Sequence, residues 1–292
     1  MNQKKETFFL YLYILPALFV FSVFFLLPFF SGLYVGLTSW TGLGKMKFVG
    51  LRNFIDFFTN PNAYAALGRT LWLTLIVVII QNTFALFLAI ILDRDMKGSN
   101  FFKSIFFIPS IISPVVVGYM WSFILDPARG IFASFRGLVG IENMGMINLL
   151  GNTSTAMYTI IFILLWQYIG YSMVIYIAGL SNIPKELVEA SVIDGANSWQ
   201  VFLHITFPLI AQALTINVLL SVIGALKIFD HVFVLTKGGP GRATEVLTLT
   251  IYNEGFGASR LGYGTAASMV LFVLILIVSL VMLKYLKKRE VK

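Results

Sequence analysis

SNIPKELVEASVIDGANSWQVFLHITFP, from Ser181 to Pro208, decides the fold, because it interrupts two long apolar blocks with local signals that belong in water. Pro184 suits a first helical turn, where its missing N–H would have no intrahelical partner in any case. Glu186 in that turn favours the positive end of the helix dipole. The pattern predicts a short helix running to about Asp194. Gly195 fits the left-handed position that closes a helix, and Asn197 with Gln200 three residues on has the pattern of a capping box opening a second one. Pro208 then kinks or restarts the chain as it enters the next apolar block.

A helix of about eleven residues carrying Glu186, Glu189 and Asp194 is too short and too charged to cross a bilayer. Its apolar residues Leu187, Val188, Val192 and Ile193 are spread around it. Such a helix calls for a groove on a protein partner. The competing reading is an interfacial helix resting on lipid headgroups, which would carry basic residues on its polar face, whereas this face is acidic.

Outward from this segment the chain has a membrane composition. Of its 292 residues, 58% are hydrophobic and 12% charged, and the mean hydropathy is +0.88, whereas a soluble chain is about a quarter charged. Crossing the hydrocarbon takes about 20 apolar residues as a helix, whose backbone groups bond within their own segment. Six blocks meet that need: Leu10 to Leu37, Leu71 to Leu92, Phe101 to Leu125, Tyr158 to Leu180, Leu209 to Phe229 and Ala266 to Tyr285. The expected fold class is therefore all-α, a polytopic membrane protein with the 181–208 segment lying outside the bilayer between spans four and five. A single domain over residues 1–292 is expected, since no internal repeat or low-complexity tract divides it. Pro16 and Pro28 in the first span, and Pro109 and Pro114 in the third, predict kinks. These kinks read either as ordinary packing or as a pathway lined by span three.

Positive residues at span ends stay in the cytoplasm. Lys4 and Lys5 precede the first span, and Lys284, Lys287, Lys288, Arg289 and Lys292 follow the last, so an even number of spans places both termini inside. Arg94, Lys97 and Lys103 in the second connection agree. Lys45, Lys47, Arg52 and Arg69 would lie outside, against the trend, and the segment after span four is acidic. The first apolar block is too long for a signal-peptide core and has no small-residue cleavage site after it, so it reads as a retained span.

Several function classes fall away. With no cysteine, disulfides, thiolate chemistry and Cys-based metal sites are excluded. Only His204 and His231 supply imidazoles, and their separate settings do not make a metal site. The net charge of +8 is scattered through loops and gathered at the termini, without the aromatic-interleaved stripe of a nucleic-acid binder. No GxxxxGK[ST] sequence occurs, so ATP binding by this chain is not expected. Gly238-Gly239-Pro240-Gly241 lacks the following Lys-Ser/Thr pair and reads as a turn or a contact for an external protein. No buried acid–base pair suggests an enzyme. An ion-driven secondary transporter, the alternative, would place carboxylates at mid-membrane, and the spans offer Asp230 only, near a span end.

The run Glu189-Ala190-Ser191, then Asp194-Gly195-Ala196 and Pro208, closely resembles the EAA signature of ABC importer permeases, with Ser191 where alanine is commoner. In that family the signature is a coupling helix seated in a cleft of the ATP-hydrolysing subunit. The resemblance implies an ATPase contact made by Glu186, Glu189, Ala190, Ser191, Asp194, Gly195 and Ala196. Phe48-Val49-Gly50-Leu51-Arg52-Asn53-Phe54, and Leu235-Thr236-Lys237-Gly238-Gly239-Pro240 with Thr244, are similar to the carbohydrate-uptake branch. The glycine-rich loop is similar to that of the larger permease in maltose-type and glycerol-phosphate-type importers. What the resemblance implies is an ATP-driven, binding-protein-dependent sugar importer working by alternating access in a bacterial or archaeal cytoplasmic membrane. Its further parts would be a second, homologous permease, two cytoplasmic ATPase subunits and an external solute-binding protein. ATP and Mg would sit in the ATPase, with no cofactor in this chain.

A neutral sugar would stack on aromatic faces and bond amides and hydroxyls. Trp166, Gln167 and Tyr171 in span four, with Asn217 and Ser221 in span five, are the candidates; Tyr168 and Tyr176 lie nearby. Aromatics in spans also serve as packing or interface residues. Lys227 and Asp230, three apart, are expected to pair as a structural ion pair in preference to acting as a proton relay.

Overall fold

The computed structural model describes residues 13–93, 97–131 and 148–289. Leu10 of the first expected span, and Lys4, Lys5, Arg94 and Lys292 of the charge argument, lie outside them. The described residues are helical apart from loops and one isolated antiparallel bridge, Thr38 to Phe48. Two compact units form among the described residues, 13–64 with 250–272, and those from 65 to 249 with 273–289.

In the first unit, α1 runs Tyr13–Gly36 and α2 runs Arg52–Thr59. Asn53, whose side chain is buried, donates from Nδ2 to the carbonyls of Gly36 and Thr38, both at 2.8 Å. It thereby satisfies acceptors left over where α1 ends. That bond gives the Phe48–Phe54 motif a structural purpose: it fastens the chain after the first span.

In the second unit come α3 (Pro61–Leu92, from Ala65 onward), α4 (Ser99–Ile111), α5 (Pro114–Ile124) and α6 (Ala156–Leu180). These are followed by α7 (Lys185–Ile193), α8 (Ser198–Val201), α9 (Ala211–Leu226), α10 (Asp230–Leu235) and α11 (Leu247–Tyr252), which ends in the first unit; α12 (Leu261–Leu286) runs through both. Among the described residues five helical stretches are long and apolar enough to cross a membrane, Tyr13–Gly36, Pro61–Leu92, Ala156–Leu180, Ala211–Leu235 (α9 with α10) and Leu261–Arg289, and the bent α4–α5 pair passes the same test only when its halves are taken together. Five of the six expected blocks are thus spanning stretches, and the third, Phe101 to Leu125, is the bent pair. Leu73, Val117, Ile160, Ile163 and Val232 form one apolar core, and Ala85, Ala89, Met173, Tyr176 and Ile210 form another. Lipid is as apolar as these side chains, so close packing holds helices together more than exclusion from water does. Gly170 of α6 shows how close: a Cβ there would overlap the backbone carbonyl of Phe106 and approach the Phe107 nitrogen at 2.9 Å.

The third span differs from expectation in kind. Instead of one kinked helix over Phe101 to Leu125, the chain breaks at Ile112–Ser113 and its halves diverge by 99°. Ser113 has ψ 135°, the extended geometry that a following proline imposes, and Pro114 then opens α5. Pro109 is carried inside α4. Pro28 and Pro208 behave otherwise. Each follows a wide π turn, Ser22–Leu26 and Phe202–Thr206, in which an N–H reaches back five residues, and the helical path continues through the proline. Widening one turn moves the carbonyl that the proline ring would strike. The restart into span five comes at Ile210 (φ −85°, ψ 6°), just past Pro208.

Candidate functional site

Two places in the second unit carry chemistry. The first is a cavity of about 430 Å³ lined by α3, α6, α9 and α10 and by residues flanking the α4–α5 break. Tyr168 and Tyr171 of α6 present aromatic surface to it; Gln81, Ser172, Asn217 and Ser221 contribute amides and hydroxyls; Lys227, Asp230 and His231 stand where α9 gives way to α10.

Hydrogen bonds between helices hold this wall. Gln81 donates from Nε2 to Ser172 Oγ at 2.7 Å. Tyr176 donates its hydroxyl to Asn82 Oδ1 at 2.7 Å, and Asn82 Nδ2 donates to Ser221 Oγ at 2.9 Å. Asn217 Nδ2 donates to the Ser172 carbonyl at 3.3 Å. Polar side chains bonded across helices fix their rotation about one another.

A second chain of bonds ties down the broken span. Gln167 donates from Nε2 to the Ile112 carbonyl at 2.9 Å, inside the α4–α5 break, and its Oε1 lies 2.6 Å from His231 Nε2. An amide oxygen only accepts, so His231 carries its proton on Nε2 and donates it. Gln167 is completely buried and His231 nearly so. Gln167→Leu would leave the Ile112 carbonyl and the His231 N–H unpaired, at a cost of about 1–3 kcal/mol. The purified protein should melt several degrees lower; an unchanged melting temperature would show that this clasp is unimportant.

Of the five candidate substrate residues, the structure brings Tyr171, Asn217 and Ser221 to the cavity. It places Gln167 in the clasp, with both ends of its amide engaged. Trp166 stacks edge-on against Trp121, ring centroids 5.5 Å apart, away from the lining. Tyr176 is buried in the wall. The expected ion pair between Lys227 and Asp230 does not form: both line the cavity, and among the described residues neither is in an ion pair. Three-residue spacing brings side chains together only on a continuous helix, and here α9 ends at Leu226 before α10 begins at Asp230. Gln81 and Asn82 were missed, although two amides in the middle of an apolar block are a sign of an interior face.

The second place is the segment between α6 and α9. Lys185–Ile193 is helical, with Pro184 just before its first residue rather than inside its first turn. Gly195 is left-handed, with φ +85°. Both bonds of the capping box are present, Gln200 N–H to Asn197 Oδ1 at 2.9 Å and Asn197 N–H to Gln200 Oε1 at 2.8 Å. Glu186, Glu189, Ala190, Asp194 and Gly195 are exposed, and Ser191 and Ala196 are half-buried. Apolar side chains stand out with them: Ile193 is 85% exposed, Trp199 66% and Val192 59%. A shallow hollow of about 380 Å³ lies between the two short helices, lined by Ser191, Asp194, Gly195 and Ala196 on one side and Gln200, Val201 and His204 on the other. Among the described residues no group of three metal-ligating side chains gathers.

Apolar helices of spanning length around a cavity that carries amides, hydroxyls and charged groups, with an exposed helical segment between two of them, fit the transmembrane subunit of a transporter. The chain belongs to the binding-protein-dependent transport system inner membrane component family, whose sequence model matches residues 81–292. It is 34% identical, over 99% of both chains, to the probable starch degradation products transport system permease protein AmyD of Thermoanaerobacterium thermosulfurigenes. It is also 34% identical, over 92% of both chains, to the multiple sugar-binding transport system permease protein MsmF of Streptococcus mutans. A solved bacterial ABC transporter involved in the import of the acidic polysaccharide alginate has the same fold, with TM-score 0.84 over 97% of this chain and 96% of that one at 22% identity. A second structure, of a bacterial alginate ABC transporter in complex with an alginate pentasaccharide-bound periplasmic protein, superposes with TM-score 0.82 at 22% identity, covering 95% of this chain and 93% of that one. The protein is thus a membrane-spanning permease subunit of an ABC importer, a transport component and not itself an enzyme.

Proposed function

We propose that this permease imports a sugar or short oligosaccharide, driven by ATP hydrolysis in separate subunits that grip it through α7. The observation that carries the coupling half is the exposed Lys185–Ile193 helix, ended by a left-handed glycine and followed by a capped turn. Its C-terminal end is closed by the Asp194, Gly195 and Ala196 N–H groups bonding back to Ala190, Val192 and Ser191, and the next helix is opened by the Asn197–Gln200 capping box, so the turn is preformed for docking, while Val192, Ile193 and Trp199 face outward without cover. Glu189 and Asp194 supply polar contacts and Gly195 the turn. ATP can shift the inward and outward populations only by binding one of them better, and α7 is where that difference crosses between chains.

Support for the sugar comes from the names of the relatives and from the cavity. Tyr168 and Tyr171 offer faces for pyranose rings, and Asn217, Lys227 and Asp230 offer groups for hydroxyls. Asp230→Asn replaces a carboxylate acceptor by an amide, and hydrogen bonds to carboxylate groups contribute about 1.5–3 kcal/mol. The expected result is about a tenfold or greater rise in the transport KM with the protein amount unchanged. An unaltered KM would remove Asp230 from the site.

The assembly that fits this reading has a second permease, two cytoplasmic ATPase subunits and an external solute-binding protein, with both termini of this chain in the cytoplasm. ATP and Mg belong to the ATPase. Uptake in proteoliposomes tests the whole: it should require both ATP and the binding protein. Uptake driven by a proton or sodium gradient alone would defeat it.

A further inference from the structure

A third hollow, of about 300 Å³, lies where the chain enters α9. Phe207, Pro208, Ala211 and Leu214 form one wall, and Leu286 with Arg289 forms the other, at the end of α12. Every lining side chain is apolar except Arg289. Three more cations, Lys284, Lys287 and Lys288, stand exposed in the same closing turns. Among the described residues none of the four is in an ion pair.

An apolar slot at the end of a membrane span, rimmed by unpaired positive charge, has two unmet needs. Its walls need hydrocarbon, and its rim needs an anion that stays within reach of water. A free phosphate would answer the rim and leave the slot wet. An apolar side chain from a partner would fill the slot and leave the cations alone. A molecule that joins a fatty chain to a negative phosphodiester answers both, and basic hollows between helices suit such headgroups.

We propose that this hollow binds an anionic phospholipid, with an acyl chain along Phe207, Leu214 and Leu286 and the headgroup phosphate at Arg289, assisted by Lys287. The lipid joins the end of the 181–208 segment to the close of the last helix. This assignment needs neither the orientation of the chain in the membrane nor the identity of the transported solute.

Native mass spectrometry of the intact transport complex in neutral detergent, titrated with phosphatidylglycerol or phosphatidylcholine, tests it. Phosphatidylglycerol should be retained at least about tenfold better, equivalent to about 1.4 kcal/mol. Arg289→Gln with Lys287→Gln should erase that preference, Arg289→Lys should keep most of it, and Leu214→Trp, which fills the slot, should weaken retention of both lipids. Inorganic phosphate at millimolar concentration should displace nothing. Equal retention of the two lipids, a charge-neutral double variant that keeps the preference, or displacement by inorganic phosphate would each overturn the assignment.

Discussion

Gly195→Asp is expected to abolish uptake while leaving the permease in the membrane at its normal level. Gly195 holds φ +85°, and an added Cβ would meet nothing within 4 Å in this chain. The penalty inside the permease is therefore conformational only, about 1–2 kcal/mol for an ordinary residue and less for aspartate, which tolerates the left-handed region. That is too little to unfold a multi-helix bundle. At a docked surface the same side chain would push a charge into the partner. Loss of 2 kcal/mol or more at the centre of an interface weakens it about thirtyfold or beyond. Uptake assays beside immunoblots of the membrane fraction separate the two effects: normal uptake would remove Gly195 from the contact, and loss of the protein itself would make its role structural.

Gly170→Val should act in the opposite way, destroying the fold before any question of coupling arises. The Cβ position at Gly170 is occupied by the Phe106 backbone carbonyl, so the backbones of α4 and α6 are in contact there. A side chain tip can turn aside, but a helix backbone cannot. The cost is expected at or beyond the upper end of the about 1–3 kcal/mol typical of overpacking. It would also displace Ile112 from Gln167, one turn from the contact, and open the clasp at the broken span. Purified yield and thermal melting check this: the variant should be lost to aggregation or melt well below the parent, and a normal melting curve would contradict the close approach. The same substitution at Gly68, where an added Cβ meets nothing within 4 Å, is the control.

Much of this architecture is legible in the sequence, and the places where reading stops have identifiable causes. The 181–208 segment is specified locally: Gly195, Asn197 and Gln200 make bonds or turns with residues a few positions away, so their pattern translates into geometry. The six apolar blocks translate as well, but their ends do not. α3 begins at Pro61 instead of Leu71, because Asn62, Tyr64 and Arg69 continue the helix beyond the apolar stretch that hydropathy detects. The break at Ile112–Ser113 is signalled by Pro114, yet whether such a proline kinks or severs a helix depends on what receives the freed carbonyl. Here Gln167 receives it from a residue 55 positions away, and no local pattern announces that.

The cavity shows the same division. Gln167 and Tyr171 are four apart and share a face of α6, but the break claims the first and leaves the second to the lining. Trp166 lies on another face and packs on Trp121. Lys227 and Asp230 look paired only if the helix is assumed to continue, and its interruption leaves both facing the cavity.

We propose α7 as the seat of an ATP-hydrolysing partner. Because the chain has no cysteine, Ile193→Cys introduces a single thiol on the most exposed apolar residue of that helix. Disulfide or short-linker cross-linking of the assembled complex should join position 193 to the ATPase subunit, with a yield that changes when ATP is added, while Phe123→Cys on α5 gives no such product. A complex that transports normally yet yields no cross-link to the ATPase from 193, nor from thiols placed at Glu189 or Trp199, would contradict the account.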